Sequence, residues 1–168
     1  MKLKLDNIIL YTYDDNNLIH KKVLLNFMNE SKSNYIHDID RRLKNNFNKK
    51  ENNIFDRGYL VSLNNNIVGY IFISKIIKDE IFLEYSIIKG YRGKKIGKLL
   101  LSDVSNYIME NYNIKSILLD IEPSNIPSLI TAVNCGYFVD DDDYLKRDMN
   151  GKILYRMDNY NYVNKRKK

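Results

Sequence analysis

One stretch constrains this chain more than any other. The run Ile81-Phe82-Leu83-Glu84-Tyr85-Ser86-Ile87-Ile88 leads through Lys89-Gly90 into Tyr91-Arg92-Gly93-Lys94-Lys95-Ile96-Gly97-Lys98 and then Leu99-Leu100-Leu101. The first part is apolar and β-branched enough to read as a largely buried strand. Beyond the turn, Leu100, Leu101, Val104, Tyr107 and Ile108 recur at three- and four-residue intervals, the apolar face of a helix. A short basic turn therefore delivers the chain to a helix N-terminus, where unpaired backbone N–H groups and about half a positive charge attract an anion. Arg92, Lys94, Lys95 and Lys98 add formal charge at the same place. Two readings fit: a grip on phosphate, or a solvated basic turn, between which a lone Gly-x-x-x-Gly does not decide.

The rest of the chain narrows the class. With 168 residues, 44% of them hydrophobic, it suits one globular domain, expected over residues 1–164. There is no run of about 18 apolar residues to cross a membrane, and residues 1–6 lack the apolar core of a signal peptide. Cys135 is the only cysteine, so no intramolecular disulfide forms and a reducing, cytoplasmic setting is expected. The net charge of +6 does not make a nucleic-acid binder, because Lys165, Arg166, Lys167 and Lys168 hold four of those charges in a basic tail. His20 and His37 do not cluster with other ligands, so no metal site is expected.

The pattern predicts a strand over 8–13, a turn with capping residues at Asp14-Asp15-Asn16-Asn17, and helices over 18–29 and 36–47, with a polar connection at 49–56. Strands over 59–63 and 67–73 flank Asn64-Asn65-Asn66, a tight hairpin because asparagine tolerates left-handed backbone. Lys78-Asp79-Glu80 turns into the strand carrying Glu84. After the long helix come a strand over 115–121, a short helix from Ser124-Asn125 to Cys135-Gly136, and strands over 137–139 and 153–160. The acidic run Asp140-Asp141-Asp142-Asp143 near the last turn reads as a solvated charged turn, or as a patch steering a cationic amine.

These residues resemble the GNAT superfamily of acetyl-CoA-dependent N-acetyltransferases. The family's phosphate loop runs Arg or Gln, two variable residues, Gly, one variable residue, then Gly or Ala; here Arg92, Gly93, Lys94, Lys95, Ile96 and Gly97 occupy that register. A second motif opens with Asn, has a small residue three positions on, and closes with Gly-Phe or Gly-Tyr; Asn125, Ser128, Gly136 and Tyr137 fit it. The resemblance implies an α/β (α+β) fold: a mixed, V-shaped, largely antiparallel sheet of about seven strands with about four helices, in the order β-α-α-β-β-β-α-β-α-β-β. It also implies acetyl-CoA as cosubstrate. The backbone of Ile87 and Ile88 would pair with the pantetheine arm, the loop from Arg92 to Lys98 would hold the pyrophosphate, and Asn125 would contact the pantetheine from the other side. Lys95 stands where the motif has its first glycine. A loop in right-handed helical geometry would spare it the roughly 1–2 kcal/mol of a left-handed residue, and the replacement is expected to be tolerated.

Acetyl transfer to an amine needs a base. Glu84, one carboxylate in an otherwise apolar strand, is the candidate; the alternative is a carboxylate on the solvent face or paired with lysine. The acid is open. Many relatives place a tyrosine seven residues after the motif Asn, and this chain has Ala132 there, leaving Tyr85, Tyr137 and Tyr144 as candidates by residue type alone. Cys135 reads as a small packing residue rather than a nucleophile. The expected activity is acetyl transfer to a small-molecule or peptide amine by direct attack in a ternary complex, from a monomer or homodimer without membrane or specific nucleic-acid partners. The alternatives are a CoA-binding module without catalysis and, less favoured, a basic nucleic-acid binder. The acceptor is not legible.

Overall fold

A computed structural model describes residues 2–14, 16–30, 58–140 and 151–163. The expected helix over 36–47, Tyr144, His37 and the basic tail lie outside them. The described residues gather into two compact units, one drawn from residues 1–73 and 85–96, the other from 74–84 and 97–168. The chain passes between them three times, within two strands and in the first turn of the long helix.

In the first unit β1 (Lys2–Lys4), β2 (Ile9–Thr12), β3 (Gly58–Leu63) and the first part of β4 (Asn66–Ile77) form an antiparallel meander, with Leu3 opposite Leu10, Leu10 opposite Val61 and Val61 opposite Gly69. The hairpin at Asn64-Asn65 turns as its asparagines foretold: both are left-handed, at φ 49° and 63°, as a two-residue primed turn requires. Leu60, Tyr70, Phe72 and Tyr13 form a core against which Tyr11, Val23, Ile67 and Ile88 pack. Helix α1 (Leu18–Glu30) starts at Asn17, whose Oδ1 accepts the N–H groups of Ile19 at 2.9 Å and His20 at 3.3 Å.

In the second unit the tip of the β4–β5 hairpin turns at Lys78, φ 55°, and Ser74 Oγ donates to the Phe82 carbonyl at 3.4 Å. Strand β5 (Glu80–Ile87) pairs in parallel with β6 (Ser116–Ile121) through three residue pairs: Glu80 with Ser116, Ile81 with Ile117 and Phe82 with Leu118. This pairing ends at Phe82 and Leu118, while β6 stays paired with β8 (Ile153–Asp158) along its whole length. Strand β7 (Phe138–Val139) closes this order on the far side of β8. Helix α2 (Ile96–Asn111) buries Leu100, Leu101, Val104 and Ile108, the predicted face, with Tyr107 partly exposed against Tyr112. Each fully buried leucine or isoleucine there contributes about 1.5–3 kcal/mol. Helix α3 (Ile126–Asn134) ends before Gly136 at φ +88°.

The mixed, mostly antiparallel open sheet is as expected, with eight strands among the described residues rather than seven. The additional strand is β1, missed because three residues carry too short an alternation. Its exposed lysines suit a sheet edge, where charge discourages pairing with another chain. Three α-helices fall among the described residues.

Asp140 overturns the solvated reading of the acidic run at its first position. It is 7% exposed and accepts a hydrogen bond from Arg156 Nη1 at 3.0 Å. Arg156 also donates from Nη2 to Glu80 at 3.1 Å and from Nε to Asp158 at 2.6 Å, and Ser116 Oγ donates to Glu80 at 2.9 Å. Burial pulls the Arg156 pKa down, but the hydrogen bonds to Asp158 and Asp140 and the charges of Asp158 and Glu80 outweigh it and hold the guanidinium firmly protonated. This cluster ties β5, β6, β8 and the residue after β7 together.

Candidate functional site

The end of β5 and the turn after it belong to the first unit. Ile88 N–H donates to the Val68 carbonyl of β4 at 2.9 Å, holding the strand end in the sheet. A single 3-10 turn, Lys89–Tyr91, follows, in which Tyr91 N–H reaches the Ile88 carbonyl at 2.8 Å and Arg92 N–H the Lys89 carbonyl at 3.2 Å. Arg92 Nε–H donates to the Ile87 carbonyl at 2.8 Å. Gly93 is left-handed at φ 76°, and so is Lys95 at φ 60°. The right-handed geometry that would have spared Lys95 is therefore not adopted, and the lysine bears the cost of about 1–2 kcal/mol. Two left-handed residues in so short a loop re-aim its peptide groups before Ile96, 4% exposed, anchors the first turn of α2. Arg92, Gly93, Lys94 and Lys95 are exposed, and Lys94 Nζ lies 5.4 Å from the Tyr91 ring centroid, a cation–π contact that keeps its charge beside the loop.

The second unit holds the other predicted residues. Lys98 is exposed on the first turn of α2, and Gly97 is half-buried beside it. Asn125 caps α3, its Oδ1 accepting from Ser128 N–H at a long 3.4 Å, so part of the motif's asparagine has a structural use. Glu84 is half-buried on β5. Strand alternation sets it on the same sheet face as Glu80 and Phe82, two residues beyond the last β5–β6 pair. Asp120 stands at the matching position of β6, two residues past Leu118 on that face, and is exposed in a strand otherwise buried. Sequence reasoning passed over Asp120. The only signal was a carboxylate between Leu119 and Ile121, and it acquires meaning only from the register that aligns Ser116 with Glu80.

Ala132 is fully buried and offers no acid. The Tyr137 hydroxyl shares a 2.7 Å hydrogen bond with Ser105 Oγ inside the core, where it serves packing. Cys135 donates its thiol to the Lys98 carbonyl at 3.6 Å; burial pushes its pKa up, against the smaller pull of Lys98 and a backbone hydrogen bond from Ser102, so it is no thiolate nucleophile. His20 is buried in the first unit, and its Nδ1 accepts Asp14 N–H at 3.0 Å. No group of three or more metal-ligating side chains occurs among the described residues, nor any helix long and apolar enough to cross a membrane.

Solved structures with the same fold include an acetyltransferase of the GNAT family from Bacillus anthracis, 15% identical with a TM-score of 0.68, the match covering 95% of this chain and 99% of that one. Ribosomal-protein-S5-alanine acetyltransferase from Vibrio fischeri is 16% identical with a TM-score of 0.71, over 98% and 100% of the two chains. The N-acetyltransferase PseH from Campylobacter jejuni, solved with acetyl coenzyme A, is 16% identical with a TM-score of 0.65, over 90% and 98%. No curated protein matches the sequence. The model of the acetyltransferase (GNAT) family matches residues 23–137, which take in the strand, the left-handed loop, both helices after it and the Asn125 motif, and the chain belongs to that family.

Proposed function

We propose that this protein is an N-acetyltransferase that moves the acetyl group of acetyl-CoA to a primary amine by direct attack in a ternary complex. The observation that carries this reading is the run from Ile87 to Gly97: a strand end, a loop with left-handed residues at Gly93 and Lys95, and a 16-residue helix starting at Ile96. Backbone N–H groups there, with Lys94, Lys95 and Lys98 around them, suit a pyrophosphate. The pantetheine arm is assigned to Ile87 and Ile88, with Asn125 as a further contact. Relatives with this fold carry acetyl-CoA, as PseH does.

An ordinary alkyl amine, with pKa about 10.4, lies roughly 3.4 units above pH 7, so neutralising it costs about 4.6 kcal/mol. The ammonium has no lone pair, so this first proton leaves to solvent before attack; a base then takes the second proton as the nitrogen bonds to carbon. Glu84 takes that role: the amine nitrogen attacks the thioester carbonyl carbon, its proton passes to the Glu84 carboxylate, and the C–S bond breaks to release the CoA thiolate. Asp120 is the second carboxylate on that face, suited to hold the cationic amine before it loses its proton. The thiolate is then protonated from solvent, since Ala132 supplies no acid.

Substituting Glu84→Gln and measuring acetylation rate against pH tests the role. A fall of about 100-fold or more with loss of the rising limb is expected; an unchanged profile removes Glu84 from the mechanism. The buried Ala132 favours one alternative, a domain that binds CoA without catalysis, in which calorimetry finds CoA binding and no amine elicits thiol release. The acceptor is a small-molecule or peptide amine; the Vibrio fischeri enzyme's name gives an alanine of a ribosomal protein as its own substrate. The site of action is proposed to be the cytoplasm.

A further inference from the structure

We infer that α3 is the contact surface of a homodimer, in which two copies of the chain lay their α3 helices antiparallel about a two-fold axis beside Ile130. The inference goes beyond the proposed acetyl transfer and does not depend on it. Helix α3 carries its apolar residues the wrong way round for a surface helix of a monomer. Ile126, Ile130 and Val133 are 54%, 56% and 57% exposed, whereas the buried residue of the helix is the small Ala132. Helix α2, in the same unit, does the opposite: its Leu100, Leu101, Val104 and Ile108 are buried.

The three exposed side chains make one stripe. Positions 126, 130 and 133 are four and three residues apart, which sets them on a single helix face. None of the nine residues of α3 is charged, in a chain where 29% of residues are, so covering the stripe buries no formal charge of the helix. The hydroxyl next to Ile130 needs no water either: Thr131 Oγ1 donates to the Pro127 carbonyl within the same helix at 2.8 Å. The face can therefore close on an apolar partner without stranding a polar side chain at its centre.

The occupant this face fits is a second copy. A helix reversed about an axis beside Ile130 brings Ile126 within about 1.5 Å in height of Val133 of the partner subunit, and Ile130 against its own copy, so apolar meets apolar along the whole stripe. A charged partner would find no countercharge on α3. With helix axes about 8–10 Å apart and Cα atoms at a radius of about 2.3 Å, the two Ile130 Cα atoms stand roughly 3.5–5.5 Å apart, a span that a disulfide can bridge. Three half-exposed aliphatic side chains, flanked by exposed Pro127 and Asn134, make an interface at the low end of size, under about 1,200 Å² in total. The dimer is accordingly weak, half-formed on the order of 10–100 µM.

The test is analytical ultracentrifugation of the full chain from about 1 to about 500 µM, for wild type and Ile130→Lys, with thermal melting and CoA titration of both. The wild type is expected to rise from monomer mass toward twice that mass. One substitution acts twice across the axis, setting two ammonium groups together, so Ile130→Lys should weaken association at least about 100-fold and stay at monomer mass, its melting temperature and CoA affinity unchanged. A second measurement places the contact: with diamide as oxidant, Ile130→Cys in a Cys135→Ser background should form a disulfide-linked dimer, and Cys135→Ser alone should not. Wild type at monomer mass throughout overturns the inference, as does a dimer that persists in Ile130→Lys. A wild-type monomer whose CoA affinity falls on Ile130→Lys overturns it equally, assigning the face to the cosubstrate. Should neither protein bind CoA, the cosubstrate reading fails, and the masses alone still decide what α3 does.

Discussion

Lys95 offers a quantitative check on the loop, because it is an exposed lysine held at φ 60°. A non-glycine residue in that region bears roughly 1–2 kcal/mol of steric cost, and glycine gives back about 0.5–1 kcal/mol of it through the entropy of the unfolded chain. Lys95→Gly should therefore exceed Lys95→Ala in stability by about 0.5–1 kcal/mol. Both substitutions remove the ammonium group, so the loss of charge cancels in the comparison. For a chain of this length each kcal/mol moves the melting temperature by about 2–4 °C, giving an expected gap of about 1–4 °C. Urea denaturation at equal m-values gives the difference in free energy directly. The partner experiment is Gly93→Ala. A Cβ there would meet no atom within 4 Å, so the loss of about 1 kcal/mol that φ 76° predicts is backbone strain alone. An alanine at position 95 as stable as a glycine would refute the left-handed assignment and the account of the loop built on it.

Gly69→Ala should destabilise by about 3 kcal/mol, because its Cβ would stand 2.3 Å from the Ser86 carbonyl oxygen, a backbone atom that can retreat only by shifting β5; equilibrium unfolding checks this. Arg156→Ala leaves Glu80 and Asp140 without their shared cation and should cost about 3 kcal/mol, or roughly 6–12 °C in a melting scan; a loss under 1 kcal/mol would mean the cluster is ornamental. Burial lowers the pKa of His20, with Asp14 acting against it more weakly. Its contribution to stability is thus present above the unfolded value near 6.5 and is lost as pH falls through the lower folded value. His20→Asn keeps an acceptor for Asp14 N–H but cannot titrate, so the variant should lose less stability than wild type between pH 7 and pH 5. Parallel pH curves for the two proteins would remove His20 from the acid sensitivity.

What the sequence made legible follows from where local physics is decisive. The strand at 81–88, the hairpin at Asn64-Asn65 and the buried face of α2 each rest on patterns that neighbours in sequence enforce, and the structure holds them within a residue or so at most boundaries. The same run of residues carries the proposed phosphate loop. Features that depend on partners distant in sequence were not legible. Asp140 looked like part of a solvated run until Arg156, sixteen residues on, took its carboxylate. Asp120 became a companion of Glu84 only through the β5–β6 register. The Arg92 bond to Ile87 is close in sequence, yet it depends on which way a carbonyl faces, and no pattern of residue types encodes that. Lys95 marks the clearest conflict between local preference and the fold: a lysine would choose the right-handed region, and the loop between the anchored strand end and buried Ile96 imposes the other.

The central claim is that this chain transfers acetyl groups from acetyl-CoA to an amine without passing them through itself. The direct measurement is free thiol released from acetyl-CoA in the presence of a panel of amines that includes polyamines, amino sugars, lysine and alanine-initiated peptides, with the mass of the protein followed in the same reaction. The account predicts saturable, amine-dependent thiol release, lost in Glu84→Gln, with the mass of the protein unchanged throughout. Thiol release without any amine, accompanied by one added acetyl group on the protein, would contradict it, as would CoA binding with no release for any amine on the panel.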